Sequence, residues 1–126
     1  MNWSAIASVF LALAVILGAF GAHGLRSRLD AYSMGIWEKA VFYHFVHSLG
    51  MLIASLLPRA QALSSEAASN VCWLLAGGVL IFSGSLYLLA VSRVSILGAI
   101  TPVGGLSFIA GWLLLAWYFV RQGAGK

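Results

Sequence analysis

Charged residues divide this chain into four long apolar stretches. No Asp, Glu, Lys or Arg occurs in residues 1–25, 40–58, 67–92 or 94–120. The charges fall between them: Arg26, Arg28, Asp30, Glu38 and Lys39, then Arg59 and Glu66, then Arg93, then Arg121 and Lys126. A bilayer hydrocarbon core ~30 Å thick takes roughly 17–25 residues of helix. The pattern therefore predicts membrane-spanning helices over about 3–22, 40–57, 71–92 and 96–120. The second is the least apolar, because it carries His44 and His47.

The segments between the spans differ in character. From His23 to Lys39 the chain is too polar to cross a membrane, yet Leu25, Leu29, Tyr32 and Ile36 recur at spacings of three or four. That spacing predicts a short amphipathic helix over about 25–38, lying in the interface with Trp37 as its aromatic anchor. Residues 59–70 read as a polar loop, and 92–95 as a tight hairpin that makes the third and fourth helices antiparallel neighbours. The fold class expected is all-α: one transmembrane domain over 1–126, a four-helix bundle with that interfacial helix between its first two spans.

Small residues recur on one face of three spans. Ala7, Ala14, Gly18 and Gly21 share a stripe on the first; Gly77 with Gly84, and Gly78 with Ser85, stand seven apart on the third; Gly104 and Gly111 do so on the fourth. Small side chains let membrane helices approach closely, which replaces the hydrophobic force that lipid does not supply. Ala14, Gly18, Gly21, Gly77, Gly84, Gly104 and Gly111 are thus the expected packing positions. Thr101-Pro102 near the start of the fourth span predicts a kink or an irregular first turn, since proline leaves a backbone carbonyl without its donor.

Composition makes the membrane reading hard to avoid. Hydrophobic residues make up 62% of the 126 positions and charged residues 8%, against about 25% charged in an ordinary soluble domain. Seven Lys and Arg with three Asp and Glu are too few to wet a globule, so the apolar surface faces lipid. The formal net charge of +4 comes from scattered residues and forms no basic run, so nucleic acid is not an expected partner. Four basic residues (Arg26, Arg28, Lys39, Arg93) fall on one side and three (Arg59, Arg121, Lys126) on the other; the positive-inside rule then puts both termini outside the cytoplasm. The first span resembles a signal peptide in its small-residue tail, but no Lys or Arg precedes it. It reads as a retained helix. A single cysteine, Cys72, permits neither an internal disulfide nor a cysteine metal cluster.

Polar groups inside apolar spans are costly and are the first functional suspects. His44, His47, Ser48, Met51 and Ser55 form a stripe on the second helix with Tyr43 beside it, and His23 follows the first span. The candidate polar site is His23, Tyr43, His44, His47, Ser48 and Thr101. Three readings compete. Two histidines three apart can ligate a metal, but a site needs three or four ligands and only His23 is available to complete one. Histidines and serines commonly hydrogen-bond between membrane helices. Histidine also titrates near neutrality and can move protons. No metal or other cofactor is expected on balance. The three carboxylates all lie outside the spans, so no buried acid–base pair forms. Ser83-Gly84-Ser85 lacks the strand–turn–helix setting of a nucleophile elbow, and neither glycine pair is followed by the Lys–Ser/Thr of a phosphate loop. No enzyme is expected.

Several segments together carry a family resemblance: Gly18-Ala19-Phe20-Gly21-Ala22-His23-Gly24-Leu25, Trp37 with Tyr43 and His47, Phe82-Ser83-Gly84-Ser85-Leu86-Tyr87, and Thr101-Pro102-Val103-Gly104-Gly105 with Gly111-Trp112. In these the chain resembles the YgdD-type small membrane proteins, domain-of-unknown-function family 423, to which a human transmembrane protein is also similar. The resemblance implies a multi-pass bacterial inner-membrane protein of about this length, with four helices and no assigned activity. Its pattern also takes glutamine at the position of His44, which speaks against a metal ligand there. The expected function is a non-enzymatic structural or accessory component embedded in the lipid bilayer, as a homo-oligomer or within a larger membrane complex. The alternative is a small transporter or channel for protons or a small solute, with a His-lined cavity between the first, second and fourth helices.

Overall fold

The structure is a computed structural model that describes residues 1–125; Lys126, counted above among the basic residues, lies outside the described residues. Four helices account for nearly all of it: Trp3–Leu25, Ala31–Leu56, Ser65–Ser92 and Ile96–Ala124, each long and apolar enough to cross a membrane. No strand occurs among the described residues. The first helix ends in a π-helical turn at Gly21–Leu25, and the third is interrupted by another at Val79–Ser83.

Capping side chains decide where three of these helices begin. The Asn2, Asp30 and Ser64 oxygens accept from the amides of Ala5, Ser33 and Ala67 at 3.2, 2.8 and 3.1 Å, satisfying donors a helix start leaves orphaned. The third helix stops at Arg93, whose backbone is left-handed (φ 58°) and whose amide returns to Leu89 O at 2.9 Å.

The caps correct the expected boundaries. No separate interfacial helix occupies 25–38: Leu25 closes the first helix, and residues from Ala31 onward are the opening turns of the second. Nothing between 31 and 40 breaks a helix once Asp30 has capped it. At ~1.5 Å per residue the 26-residue second helix is about 39 Å long, longer than the ~30 Å core, so its polar first turns reach past the hydrocarbon. The third helix likewise starts at Ser65 rather than near 71, and the fourth runs to Ala124 rather than 120. Trp37 is not an exposed anchor either. Its indole is buried, donates from Nε1 to Leu17 O at 3.0 Å and packs on Tyr87. The fourth helix passes through Pro102 without interruption; Thr101 Oγ1 donates to Leu97 O at 3.2 Å just before the proline.

The helices alternate in direction. The turns at 26–30 and 93–95 share one end, where Arg93 pairs with Asp30 at 2.7 Å, and the 57–64 loop lies at the other with the termini. The second and third helices form the centre, with 39% and 44% of their spanning windows buried, against 17% for each of the first and fourth. The main core joins Trp3, Ala7, Met51, Val71, Cys72, Leu75, Val79 and Phe108.

Glycines set the closest approaches. A Cβ at Gly104 would run into the Phe82 backbone, one at Gly21 into the Trp37 indole, and one at Gly111 into Leu75. Ala14 is buried, and a Cβ at Gly18 would stand 3.3 Å from Val41. Gly77 is looser, with Ser107 Oγ at 3.6 Å, and a side chain at Gly84 would meet nothing. Gly78, on the small-residue face expected of the third helix, lies directly under Phe108, and Gly50, which the pattern did not single out, lies under Trp112.

Candidate functional site

The second helix carries its polar stripe through the middle of the bundle, and its histidines serve opposite flanks. His44 turns toward the first and third helices. Its Nδ1 shares a hydrogen bond with Tyr87 Oη at 3.0 Å, and Phe10 meets the ring edge-on at 6.1 Å. His47, one turn on, faces the fourth helix. Its ring stacks on Phe108 with centroids 3.5 Å apart, and Trp112 lies at 5.8 Å. His47 Nδ1 stands 2.7 Å from the Tyr43 carbonyl; a carbonyl only accepts, so Nδ1 carries the hydrogen.

Hydroxyls around them donate to carbonyls. Ser48 Oγ donates to His44 O at 2.7 Å within the second helix. Ser83 Oγ, in the π turn of the third helix, donates to Ala40 O at 2.8 Å, and Ser107 Oγ of the fourth donates to Leu74 O at 2.6 Å. The last two tie helix to helix without any group that must be charged. Among the described residues, no buried side-chain nitrogen or oxygen lacks a hydrogen-bond partner.

Of the six expected site residues, Tyr43, His44, His47 and Ser48 come together on the second helix. His23 does not join them: it is exposed in the π turn at the end of the first helix. Thr101 bonds Ser85 Oγ at 2.6 Å across the third–fourth contact instead. Among the described residues no three His, Cys, Asp or Glu side chains are placed to hold a metal ion. The cavity beside His44 measures about 150 Å³ and is lined by Phe10, Leu13, His44, Val79, Gly84 and Tyr87 among others. It thus lies between the first, second and third helices, not the first, second and fourth.

Sequence reasoning missed the partners. Tyr87, Ser83, Ser107 and Phe108 complete the contacts of the stripe, and each is a polar or aromatic residue in a small-residue span that offered only weak signals. Near the termini, Trp3 Nε1 donates to Ser69 Oγ at 2.9 Å, Ser4 and Ser55 hydroxyls meet at 3.0 Å, and Asn70 Nδ2 donates to Tyr118 Oη at 3.2 Å. At the opposite end the Ser33 amide and hydroxyl, and then Arg93, hold the Asp30 carboxyl below its ordinary range.

Comparison with known proteins agrees with the architecture. A family model described as "Protein of unknown function (DUF423)" matches residues 17–105. A UPF0382 membrane protein of Staphylococcus haemolyticus is 50% identical over 103 residues, covering 82% of this chain and 82% of the relative. The UPF0382 membrane protein YwdK of Bacillus subtilis is 45% identical over 104 residues, covering 82% and 83%. No solved structure matches.

Proposed function

We propose, from the premise that this chain belongs to the family described as a protein of unknown function, DUF423, that it is a non-enzymatic accessory component of the bacterial inner membrane. One observation carries the reading: every buried polar side-chain atom among the described residues is already engaged within the chain. A transport path or a catalytic centre presents polar groups to a substrate. Here the imidazoles and hydroxyls face other side chains and backbone carbonyls, the arrangement by which polar residues join membrane helices. Helical spans, in place of the closed barrel typical of outer membranes, support the inner membrane as its location. The basic residues beside the 26–30 and 93–95 turns support an orientation with both termini outside the cytoplasm.

An accessory role means that the chain works with other copies or other proteins. Solubilised from native membrane in mild detergent, it should run at a mass above that of one chain, or with a stoichiometric companion protein. A strictly monomeric particle with nothing bound overturns the reading. So does proton or solute flux in reconstituted vesicles that disappears in His47→Ala while the helices remain folded.

A further inference from the structure

Between the first and second helices a groove of about 340 Å³ runs inward from the end where the 26–30 turn lies. Gly18 and Ala22, one turn apart on the first helix, and Arg26 just past its end form one wall. Glu38, Val41 and Phe45 contribute to the other. The groove stays open because Gly18 and Ala22 cannot fill it, while the Trp37 indole, seated over Gly21 and bonded to Leu17 O, wedges the two helices at that level. Its walls are apolar except for one cation and one anion.

Those two charges line the same cavity without pairing with each other. The ion pair found among the described residues is Arg93 with Asp30. Glu38, followed by Lys39, stands just before the uncharged stretch 40–58 and so near the edge of the hydrocarbon, where a carboxylate without a salt-bridge partner is costly. Arg26 lies nearer the turn. A groove open to lipid, with an apolar floor, a guanidinium and a carboxylate at its mouth, matches a molecule that has an acyl chain, an anionic phosphate and a cationic end.

We propose that this groove seats one phospholipid with a zwitterionic headgroup ending in a primary ammonium, its phosphate on Arg26 and its ammonium on Glu38. An ammonium donates three hydrogen bonds, and charge-assisted bonds to a carboxylate are the strong ones. A choline headgroup carries methyls in place of those donors. A glycerol headgroup leaves the lipid phosphate facing Glu38 with no cation between them. The chemistry thus orders the three headgroups: ethanolamine first, choline and glycerol behind it. The proposal is independent of the accessory role, since a transporter or an enzyme would keep the same groove.

Native mass spectrometry of the full chain, in detergent with equimolar dioleoyl phosphatidylethanolamine, phosphatidylcholine and phosphatidylglycerol, tests it. The ethanolamine adduct should exceed the glycerol adduct about three- to fivefold, the size of one ion pair at a partly exposed site. Glu38→Gln should erase that preference, Arg26→Gln should weaken all three adducts, and Ala22→Leu, which fills the groove, should remove most bound lipid. Unfolding temperatures in the same detergent identify any variant that is merely misfolded. If Glu38→Gln is one, Glu38→Asp replaces it, and keeping the preference in that variant supports the site. Equal retention of the three lipids by the unaltered chain, or a preference untouched by Glu38→Gln, overturns the proposal. A protein rather than a lipid cross-linked from position 22 does so as well.

Discussion

The second helix separates two flanks built in different ways. Toward the fourth helix, rings fill the space: Phe108 lies over Gly78 of the third helix and stacks on His47, Trp112 covers Gly50, and the fourth helix rests its Gly104 backbone on Phe82 of the third. Toward the first helix the backbones also run close, with Gly21 under the Trp37 indole and Gly18 beside Val41, and hydrogen bonds mark separate points: Trp37 to Leu17, Ser4 to Ser55 and, with the third helix, Trp3 to Ser69. Cavities of about 340 and 150 Å³ open between those points. Bilayer lipid solvates apolar side chains as well as a neighbouring helix does, so membrane helices associate through shape and hydrogen bonds. The fourth-helix side adds rings stacked on glycines to its hydrogen bonds, from Ser107 to Leu74 and between Thr101 and Ser85, whereas the first-helix side leaves cavities between its hydrogen bonds.

The contrast makes graded predictions, each read from reversible unfolding in mixed micelles. Truncating Phe108 to Ala should be worst, costing about 3–4 kcal/mol, because the stacked His47 ring, Gly78 and the core would line an unfilled hole. Next comes Gly104→Ala, at about 2 kcal/mol, since the added Cβ meets backbone that cannot rotate away. The control is Gly84→Ala, which meets nothing and should stay within about 0.5 kcal/mol of the unaltered chain. A similar loss at both glycines would erase the distinction between filled and open flanks. On the first-helix side, Tyr87→Phe removes only the bond to His44 and should cost about 0.6 kcal/mol, the usual size of a hydrogen bond between membrane helices.

The smallest effect concerns the turns. The Asp30 carboxyl is held below its usual value of 3.8, by Ser33 first and by Arg93. A carboxylate with a lowered native value stabilises the fold above its unfolded value and loses that contribution as pH falls through the native one. Unfolding temperature should therefore be flat above the ordinary carboxylate range and decline below it, and Asp30→Asn should flatten part of the decline. An unchanged acid profile in Asp30→Asn would show that the turn carboxyl does not couple to folding.

The number, order and alternation of the helices were legible because hydrocarbon excludes charge, and the charges mark its edges. Helix boundaries were less legible for the same reason. Hydropathy reports the membrane, whereas Asp30 and Ser64 begin helices outside it. Both caps stood in the sequence, and the polar residues after them drew attention instead. Trp37 looked like an interfacial anchor because its hydrogen-bond acceptor, Leu17 O, belongs to another helix. Gly77 and Gly84 looked like one face because seven residues make about two α-helical turns. The π turn at Val79–Ser83 widens one of those turns and rotates Gly84 onto the wall of the cavity beside the first helix. Tyr43, His44, His47 and Ser48 were visible as a stripe. Which flank each served was not, since that depends on rotations fixed only by packing.

The two span histidines join helices, each committed to its own flank. Double-mutant cycles in bicelles measure this most directly, using His47→Ala with Phe108→Ala, His44→Ala with Tyr87→Phe, and His44→Ala with Phe108→Ala. Coupling should be about 1 kcal/mol in the first pair, about 0.6 kcal/mol in the second, and absent in the crossed pair. Absence of coupling in both cognate pairs, or equal coupling in the crossed one, would contradict that assignment.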